Sequence, residues 1–588
     1  MWYVILSQNS HEAREKRVKR IQREPEGFLW DPWRHLGRRK GLLEQGWPEV
    51  VRRHLREQFP VEQLGQAFHR RMGRPSKELH TMVGVLVLQQ LWDLTDAQVT
   101  EALAFDTRWH YALGITSEED CDKYVCERTL RSYRRRVLEQ GLDAALFEEG
   151  TDRLLRDFEA ATEQQRLDST LLCSNMRQLR RGELFAEVLE KFLRSLSEVQ
   201  RAGVEAGIVE RYQRRGKGGC FSQVKPSQAK RKLEKMAQDL VWLVEHFAGE
   251  PAVAQGERYG QLCRLLKEQC EVVEGPKRVR VKAPKEVSAD SLQNPSDPDA
   301  SYDAHKGRGY QLQLMETYQA VPEGEEKDPT VPTLITYVAL EPASASDMGA
   351  VEPALEETKR RGCAPQQLLA DAGYGSDANV QGAKDEGVAL IAPSNPGQGA
   401  PQAEERVGLD RFEFEADSPR VKACPAGHAP LETRQTPGGK YTAVFDPALC
   451  RACPLQARCR VRVKAQVAVV PYYTEKKQRL AVRRARERTE AFQEQYRWRA
   501  GIEGTFSRFK DQLGAGRLRV RGRPAMRYAA KLKALGMNIL RCGKALAASA
   551  KAKAPRGPAG KASKALSGAF FQLFLHLRLQ SVPQKRAA

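Results

Sequence analysis

Three acidic residues carry the chemistry most readily: Asp168 within RLDSTLLCSN, Asp371 within QQLLADAGYG and Glu503 within YRWRAGIEGTFSRFK. Asp168 lies among apolar residues of a segment with strand character. Asp371 falls at the end of a second such segment, directly before a glycine-containing turn. A single aspartate of this kind often just caps a turn or a helix. Two of them on strands of one sheet, joined by a glutamate on a later helix, make a carboxylate set suited to Mg²⁺, which takes oxygen ligands and completes its shell with water and substrate phosphate. On one continuous helix, at roughly 100° per residue, Tyr496, Arg499, Glu503 and Lys510 fall within about 60° of one another. A stripe packed on a core is ordinarily apolar. This one holds a carboxylate flanked by two cations and a phenol, which suits a metal ligand surrounded by phosphate-binding groups. In isolation it also reads as an ordinary salt-bridged helix face.

A second constellation is KACPAGH followed by FDPALCRACPLQARC, which supplies Cys424, Cys450, Cys453 and Cys459, with His428 as a fifth candidate. A CxxC pair with two further cysteines nearby has the composition of a tetrahedral structural Zn²⁺ site, although the spacing to Cys459 is looser than in a usual knuckle. Twelve cysteines in 588 residues are too sparse for a disulfide scaffold. The remaining eight read as buried free thiols.

These residues need a scaffold, and the chain is long enough for several domains. No run approaches the roughly 18 to 20 apolar residues that span a bilayer. The N-terminus passes from MWYVILS directly into HEAREKRVKR without a secretory pattern. A soluble cytoplasmic protein with no membrane partner is expected. The net charge is +21, and residues 501–588 hold nineteen Lys and Arg against only Glu503 and Asp511. A field of that sign concentrates polyanions and drives salt-sensitive DNA contact. From charge alone, a merely solubilising surface, a ribosomal role and a membrane-surface role stay open.

Residues 1–65 read as a polar lead-in of no legible function. A helical domain is expected over 66–150, with two helices joined near Leu94, a capping box at Thr95 and Gln98, and a third helix carrying Arg131, Arg134, Arg135 and Arg136. That module fits a helix-turn-helix DNA reader or a plain bundle with a charged face. Strands are expected at RLDSTLLCSN, GYQLQLMETY, TLITYVALEP, QQLLADAGYG and VALIAPS, with a helix-rich stretch between Asp347 and Gly362. Five strands with flanking helices make an α+β domain on a mixed sheet, spanning 160–395 and interrupted by a helical insertion at about 180–285. Residues 396–420 read as a linker into a cysteine-containing insertion over 396–470. A long helix is expected at about 474–511, the domain closes over 471–542, and 543–588 reads as a disordered basic tail.

The spacing of Tyr496, Arg499, Glu503 and Lys510 resembles the YREK signature of bacterial insertion-sequence DDE transposases. LDSTLLCSN, ADAGYGS and RVRGRPAMRYAAKLKALGMNILR, with Asn538, are similar to the text around the three acids in that group. The resemblance spans about residues 74–542. It implies a ribonuclease H-like catalytic fold and a small zinc-ribbon-like insertion. It further implies that Asp168, Asp371 and Glu503 are catalytic and bind two Mg²⁺ or Mn²⁺ ions, while Tyr496, Arg499 and Lys510 contact DNA phosphates. The expected partners are double-stranded DNA, as element ends and as target, and further copies of the chain in a homodimer or higher synaptic complex, in the cytoplasm at the nucleoid. The long gap between the aspartates departs from the pattern. A catalytically silent DNA-binding descendant and a nuclease that cuts without joining are the alternatives.

Overall fold

The computed structural model describes residues 33–69, 75–213, 226–273, 279–395, 407–416 and 418–553. The beginning of the expected lead-in, residues 396–406 of the expected linker, Cys220 and the tail beyond Lys553 lie outside the described residues.

The first unit is helical. Helix α1 (Leu79–Leu91) has no charged side chain except that of His80 when protonated, and it is buried almost all round. It turns into α2 (Asp96–Phe105) through the expected capping box, in which Gln98 N donates to Thr95 Oγ1 at 3.2 Å and Thr95 N to Gln98 Oε1 at 2.9 Å. Helices α3 (Glu127–Glu139) and α4 (Leu142–Asp157) complete the bundle. Two of the four arginines singled out on α3 face inward: Arg134 pairs with Asp96, and Arg136 lies over the Phe68 ring at 4.7 Å. Arg131 and Arg135 are exposed and pair along their own helix with Glu127 and Glu139. The lead-in reading of 1–65 needs correction. Short helices between Arg39 and Gln66 put Val50, Val51, Leu55 and Leu64 into the same core. At three to six residues each, they are too short to display a helical period.

The central sheet begins with β1 (Gln164–Leu172). The chain then leaves for the expected insertion, where α5 (Arg181–Ser195), α6 (Pro226–Phe247) and α7 (Glu257–Gln269) enclose a hydrophobic core of their own that reaches Leu292. It returns as β2 (Ser301–Asp303), β3 (Gly307–Thr317) and β4 (Ile335–Pro342), then α8 (Val351–Arg360), β5 (Gln367–Leu369), α9 (Asp377–Asp385) and β6 (Ala389–Ile391). The sheet is six-stranded and mixed, with β2 added to the five strands expected. β3 pairs antiparallel with β1, β2 and β4, while β5 runs parallel to β1 and β6 parallel to β5. Both faces are covered. Leu167 and Met315 pack with Val351 and Leu355 of α8, whereas Leu172, Leu312 and Leu314 join the helical unit's core on the other face.

After β6, a cysteine-bearing unit contains β7 (Glu432–Gln435), β8 (Tyr441–Phe445), β9 (Arg462–Val463) and β10 (Ala468–Val469) in one antiparallel sheet. The single helix expected over 474–511 is instead three: α10 (Glu475–Glu487), α11 (Glu490–Tyr496) and α12 (Gly501–Asp511), with a 3₁₀ turn over Arg497–Ala500. Thr489 caps α11 by accepting from Phe492 N at 3.3 Å, which restarts the helix. Helix α13 (Arg523–Lys553) then crosses the sheet and packs on α1, α4 and β4. Its last turns occupy the first part of the stretch read as a disordered tail. Buried Asn538 holds both backbone groups of Ile335, accepting from its N at 2.8 Å and donating to its O at 2.9 Å.

Four elements meet at Glu316 on β3, which is fully buried. It accepts from Arg166 of β1 at 2.6 Å, from Arg541 of α13 at 2.8 Å and from Thr505 of α12 at 2.8 Å. Burial alone would raise its pKa, but Arg541 and Arg166 hold it below the ordinary carboxylate value. A depressed folded-state pKa means that this stabilisation is complete above the unfolded carboxylate pKa and is lost as pH falls through the folded one. Glu316→Gln leaves two desolvated guanidiniums without a counter-charge. It is expected to cost about 3–5 kcal/mol in denaturant unfolding near neutral pH. A loss within ~0.5 kcal/mol would show that the cluster does not hold these elements together.

Candidate active site

The register Arg166↔Glu316 and Asp168↔Leu314 puts Asp168 two residues from Arg166 and therefore on the same face of the sheet, toward α12. Arg166 Nη1 donates to Trp498 O at 2.7 Å and so fixes the 3₁₀ turn that carries Arg499. A Cβ on Gly501 would stand 2.1 Å from that same Nη1, so glycine is needed where the turn enters α12.

The three sequence-predicted acids meet on one cation. Arg499 Nη2 lies 2.6 Å from Asp168 Oδ2 and 3.9 Å from Asp371 Oδ2, and its Nη1 lies 2.9 Å from Glu503 Oε1. The third nitrogen of that fork, buried Nε, has no hydrogen-bond partner among the described residues. Asp168 is nearly buried and accepts from Ser169 N at 2.8 Å, and Asp371 accepts from Gly373 N at 2.7 Å. Glu503, in the first turn of α12, is two-thirds exposed. Burial pushes the Asp168 carboxyl up to about 6, and Asp371 and Asp347 add to the rise, while Arg499 and the Ser169 N–H oppose it. Tyr496 ends α11, stacks on Phe492 at 5.6 Å and is half-buried near Arg499 and both aspartates. Lys510 is half-buried two turns beyond Glu503 on the same face of α12 and makes no ion pair among the described residues. The single stripe expected for these four residues is thus broken between Tyr496 and Glu503. Glu503 and Lys510 keep their helical spacing within α12, and the turn brings Arg499 onto Glu503.

Sequence reasoning missed a second layer. Asp347, at the start of the turn before α8, accepts from Gln311 Nε2 at 2.6 Å, and Lys306 Nζ stands 3.5 Å from its other oxygen. Lys306 also donates to Ser169 Oγ at 2.7 Å. Tyr374, fully buried, donates to Gln313 Oε1 at 2.6 Å. These residues come from β3 and the turn leading into it, the turn before α8 and the turn after β5. Locally, Asp347 looks like any acid at a helix start, and nothing in its neighbours marks it.

In the cysteine-bearing unit, Cys424, Cys450, Cys453, Cys459 and His428 line one small cavity of about 20 Å³. All four thiols are free and half-buried. Burial raises the Cys450 pKa, and the facing Cys424, Cys459 and Cys453 raise it further. The eight other cysteines do not all read as expected: Cys270, Cys363 and Cys542 are buried, but Cys121 and Cys126 are exposed. Among the described residues, Glu119, Cys121 and Asp122 are the one group of three whose potential ligand atoms lie within 4.8 Å of one another. They lie on and just before a short helix over Asp120–Lys123, and neither the acid trio nor the thiols is drawn together so closely.

Residues 423–542 match the family model of a transposase DDE domain, and residues 47–136 match that of a transposase domain, DUF772. The first match covers the four cavity cysteines, Tyr496, Arg499, Glu503 and Lys510; Asp168 and Asp371 precede it. The second covers α1, α2 and most of α3, and it starts well before the boundary at 66 expected from sequence. No curated protein matches the chain. Among solved structures, the cryo-EM structure of a piggyBac transposase synaptic complex with hairpin DNA is similar at 7% identity over 95% of this chain and 87% of that one, with a TM-score of 0.25, too low to speak for a shared fold. No helix among the described residues is long and apolar enough to cross a membrane. The two domain matches support an insertion-sequence DDE transposase, and by them the chain is a DNA transposase, an enzyme of the polynucleotidyl transferase and endonuclease class.

Proposed function

We propose that Asp168, Asp371 and Glu503 are the catalytic acids of a ribonuclease H-like domain, and that they hold two Mg²⁺ or Mn²⁺ ions while the enzyme cleaves element ends and joins them to target DNA. The observation that carries this reading is the meeting of three carboxylates, from β1, from the turn after β5 and from α12, on the one guanidinium of Arg499. The strand order β4-β3-β1-β5-β6, antiparallel through β1 and parallel beyond it, supports the fold assignment.

The donor set fits the ions. DDE domains use divalent metal, and these are oxygen ligands facing a single positive charge, a cluster that is left net negative and therefore attracts more cation. Bound there, the ions supply charge neutralisation at the attacking and leaving oxygens of a phosphodiester. The chain's own groups do the rest. The Ser169 and Gly373 N–H groups orient Asp168 and Asp371. Arg499, Tyr496 and Lys510 stand on the side where the phosphate enters, Arg499 with a fork suited to phosphate oxygens. Double-stranded DNA is the substrate, and pairing of two ends calls for a homodimer or a higher complex on DNA at the nucleoid. In the cysteine-bearing unit, Cys424, Cys450, Cys453 and Cys459 would hold a structural Zn²⁺ in a zinc-ribbon-like insertion.

Glu503→Gln keeps size and hydrogen bonding but removes negative charge. Cleavage in Mg²⁺ is expected to fall by orders of magnitude while DNA binding persists. Lys510→Ala is expected instead to weaken binding and to flatten its salt dependence by about one counterion. Full cleavage and joining by Glu503→Gln would refute the assignment of the third acid. For the cysteines, protein purified without chelator is expected to carry about one Zn²⁺ per chain. Cys453→Ser should raise hydrogen exchange in 407–470 and leave β1 and β3 protected. Metal-free protein of equal stability would show that the thiols only pack.

A further inference from the structure

Among the described residues, the helical insertion contributes no side chain to the acid cluster or to the cysteine-bearing unit, yet it borders a sizeable cavity. Between the insertion and the β2–β3 hairpin lies an open space of about 330 Å³. That is the lower end of the roughly 300–1,000 Å³ typical of clefts for small ligands. Its floor is apolar, formed by buried Leu179, Leu184 and Leu292. Arg181, from the first turn of α5, Arg308 of β3 and the exposed ring of Tyr302 stand around it.

Both guanidiniums are half-buried and meet only neutral acceptors. Arg181 Nε donates to Gln269 Oε1 at 2.8 Å and its Nη2 to Gln269 O at 3.2 Å. Arg308 Nε donates to Gln293 Oε1 at 2.9 Å, and its guanidinium lies 6.0 Å from the Tyr302 ring centroid. Neither makes an ion pair among the described residues. The carboxylate whose charge reaches Arg181, that of Glu286, is engaged by Arg280 and by Ala283 N–H. Withdrawing a cation partly from water without a counter-charge costs free energy, which an arriving anion restores. These two arginines, from different elements, converge on the cavity.

We propose that this cavity receives one nucleotide of a DNA strand, with its phosphate on Arg181 and Arg308 and its base against Tyr302 and the leucine floor. Guanidiniums pair with phosphate oxygens, and an aromatic ring beside an apolar floor takes any base face without reading sequence. An acidic peptide would use the two cations but not the ring and floor. The insertion thereby becomes one wall of a strand path on the β2–β3 side of the sheet. The transposase reading enters only in the choice of DNA as the polyanion.

The test is anisotropy of fluorescein-labelled duplex and single-stranded oligonucleotides, titrated with the full-length protein across a salt series. Arg181→Gln/Arg308→Gln is expected to make the slope of log K against log salt shallower by about one to two counterions. Tyr302→Ala is expected to weaken binding about tenfold, and Tyr302→Phe to restore it. Arg434→Gln/Lys440→Gln removes the same charge from the β7–β8 hairpin and is expected to change the slope less. Thermal melting checks that each variant is folded, and Tyr302, being exposed, keeps the test open if the arginine pair does not fold. Wild-type slope and affinity in both pocket variants would overturn the proposal, as would an equal effect of the control pair. A change in oligomeric mass without DNA and no change in slope would overturn it in favour of a second copy's acidic segment. Wild-type protein that bound no DNA at low salt would overturn the transposase reading as well, so the two failures are distinguishable.

Discussion

The buried carboxylate of Glu316 is the constraint from which the rest of the arrangement follows. It is desolvated and therefore needs cations, and the two it takes come from opposite ends of the sequence, Arg166 on β1 and Arg541 on α13. Satisfying it fixes α12 and α13 against the sheet at one point and to one rotation, with Thr505 filling the remaining acceptor positions. Arg166 is shared: one end of its fork serves Glu316 and the other the carbonyl of Trp498. The turn that presents Arg499 is therefore registered to the same strand that presents Asp168. Geometry among groups hundreds of residues apart is set by a charge cluster next to the site, with Asp168 and Asp371 each adding one backbone donor of their own.

The acid cluster reverses that balance. Glu316 has two cations for one carboxylate, whereas Asp168, Asp371 and Glu503 share one cation among three, with Asp347 close by. The first arrangement is closed and structural. The second is partly exposed and short of positive charge, the condition under which carboxylates attract further cations. The two clusters lie on the same face of one sheet, so their contrast comes from composition and access to water.

Much of this was legible in the sequence where local pattern decides the outcome. The five expected strands are present, and the capping box at Thr95 and Gln98 forms as read. The three acids named from their motifs do converge. The misreadings have a common physical cause, since they concern elements whose identity is settled by tertiary contact. The short helices between Arg39 and Gln66 have no period to display and are held by burial of Val50, Val51 and Leu64. The break at Thr489 rests on the two hydrogen bonds of one hydroxyl, which donates to Arg486 O and accepts from Phe492 N. The end of α13 looked like low-complexity tail because Ala and Lys are common to both, and its helix continues from the packed part at Cys542 and Ala545. Asp347 and Lys306 were invisible because only the folded sheet brings them beside Asp168.

The placement of β1 bears on how the chain acquires its shape as it is made. β1 is the central strand, yet both of its neighbours, β3 and β5, follow only after the whole helical insertion. At the roughly 5–20 residues per second of synthesis, β1 emerges and waits several seconds or longer without a partner for either edge. Arg166 waits longer, because Arg541 and the turn at Trp498 are among the last residues delivered. The insertion, with its own core, can complete itself in that interval and bring the ends of β1 and β3 toward each other before pairing begins. On this ordering the nascent chain has no assembled acid cluster for most of its synthesis, and a transcript truncated before α12 yields a protein with a sheet but without the third carboxylate.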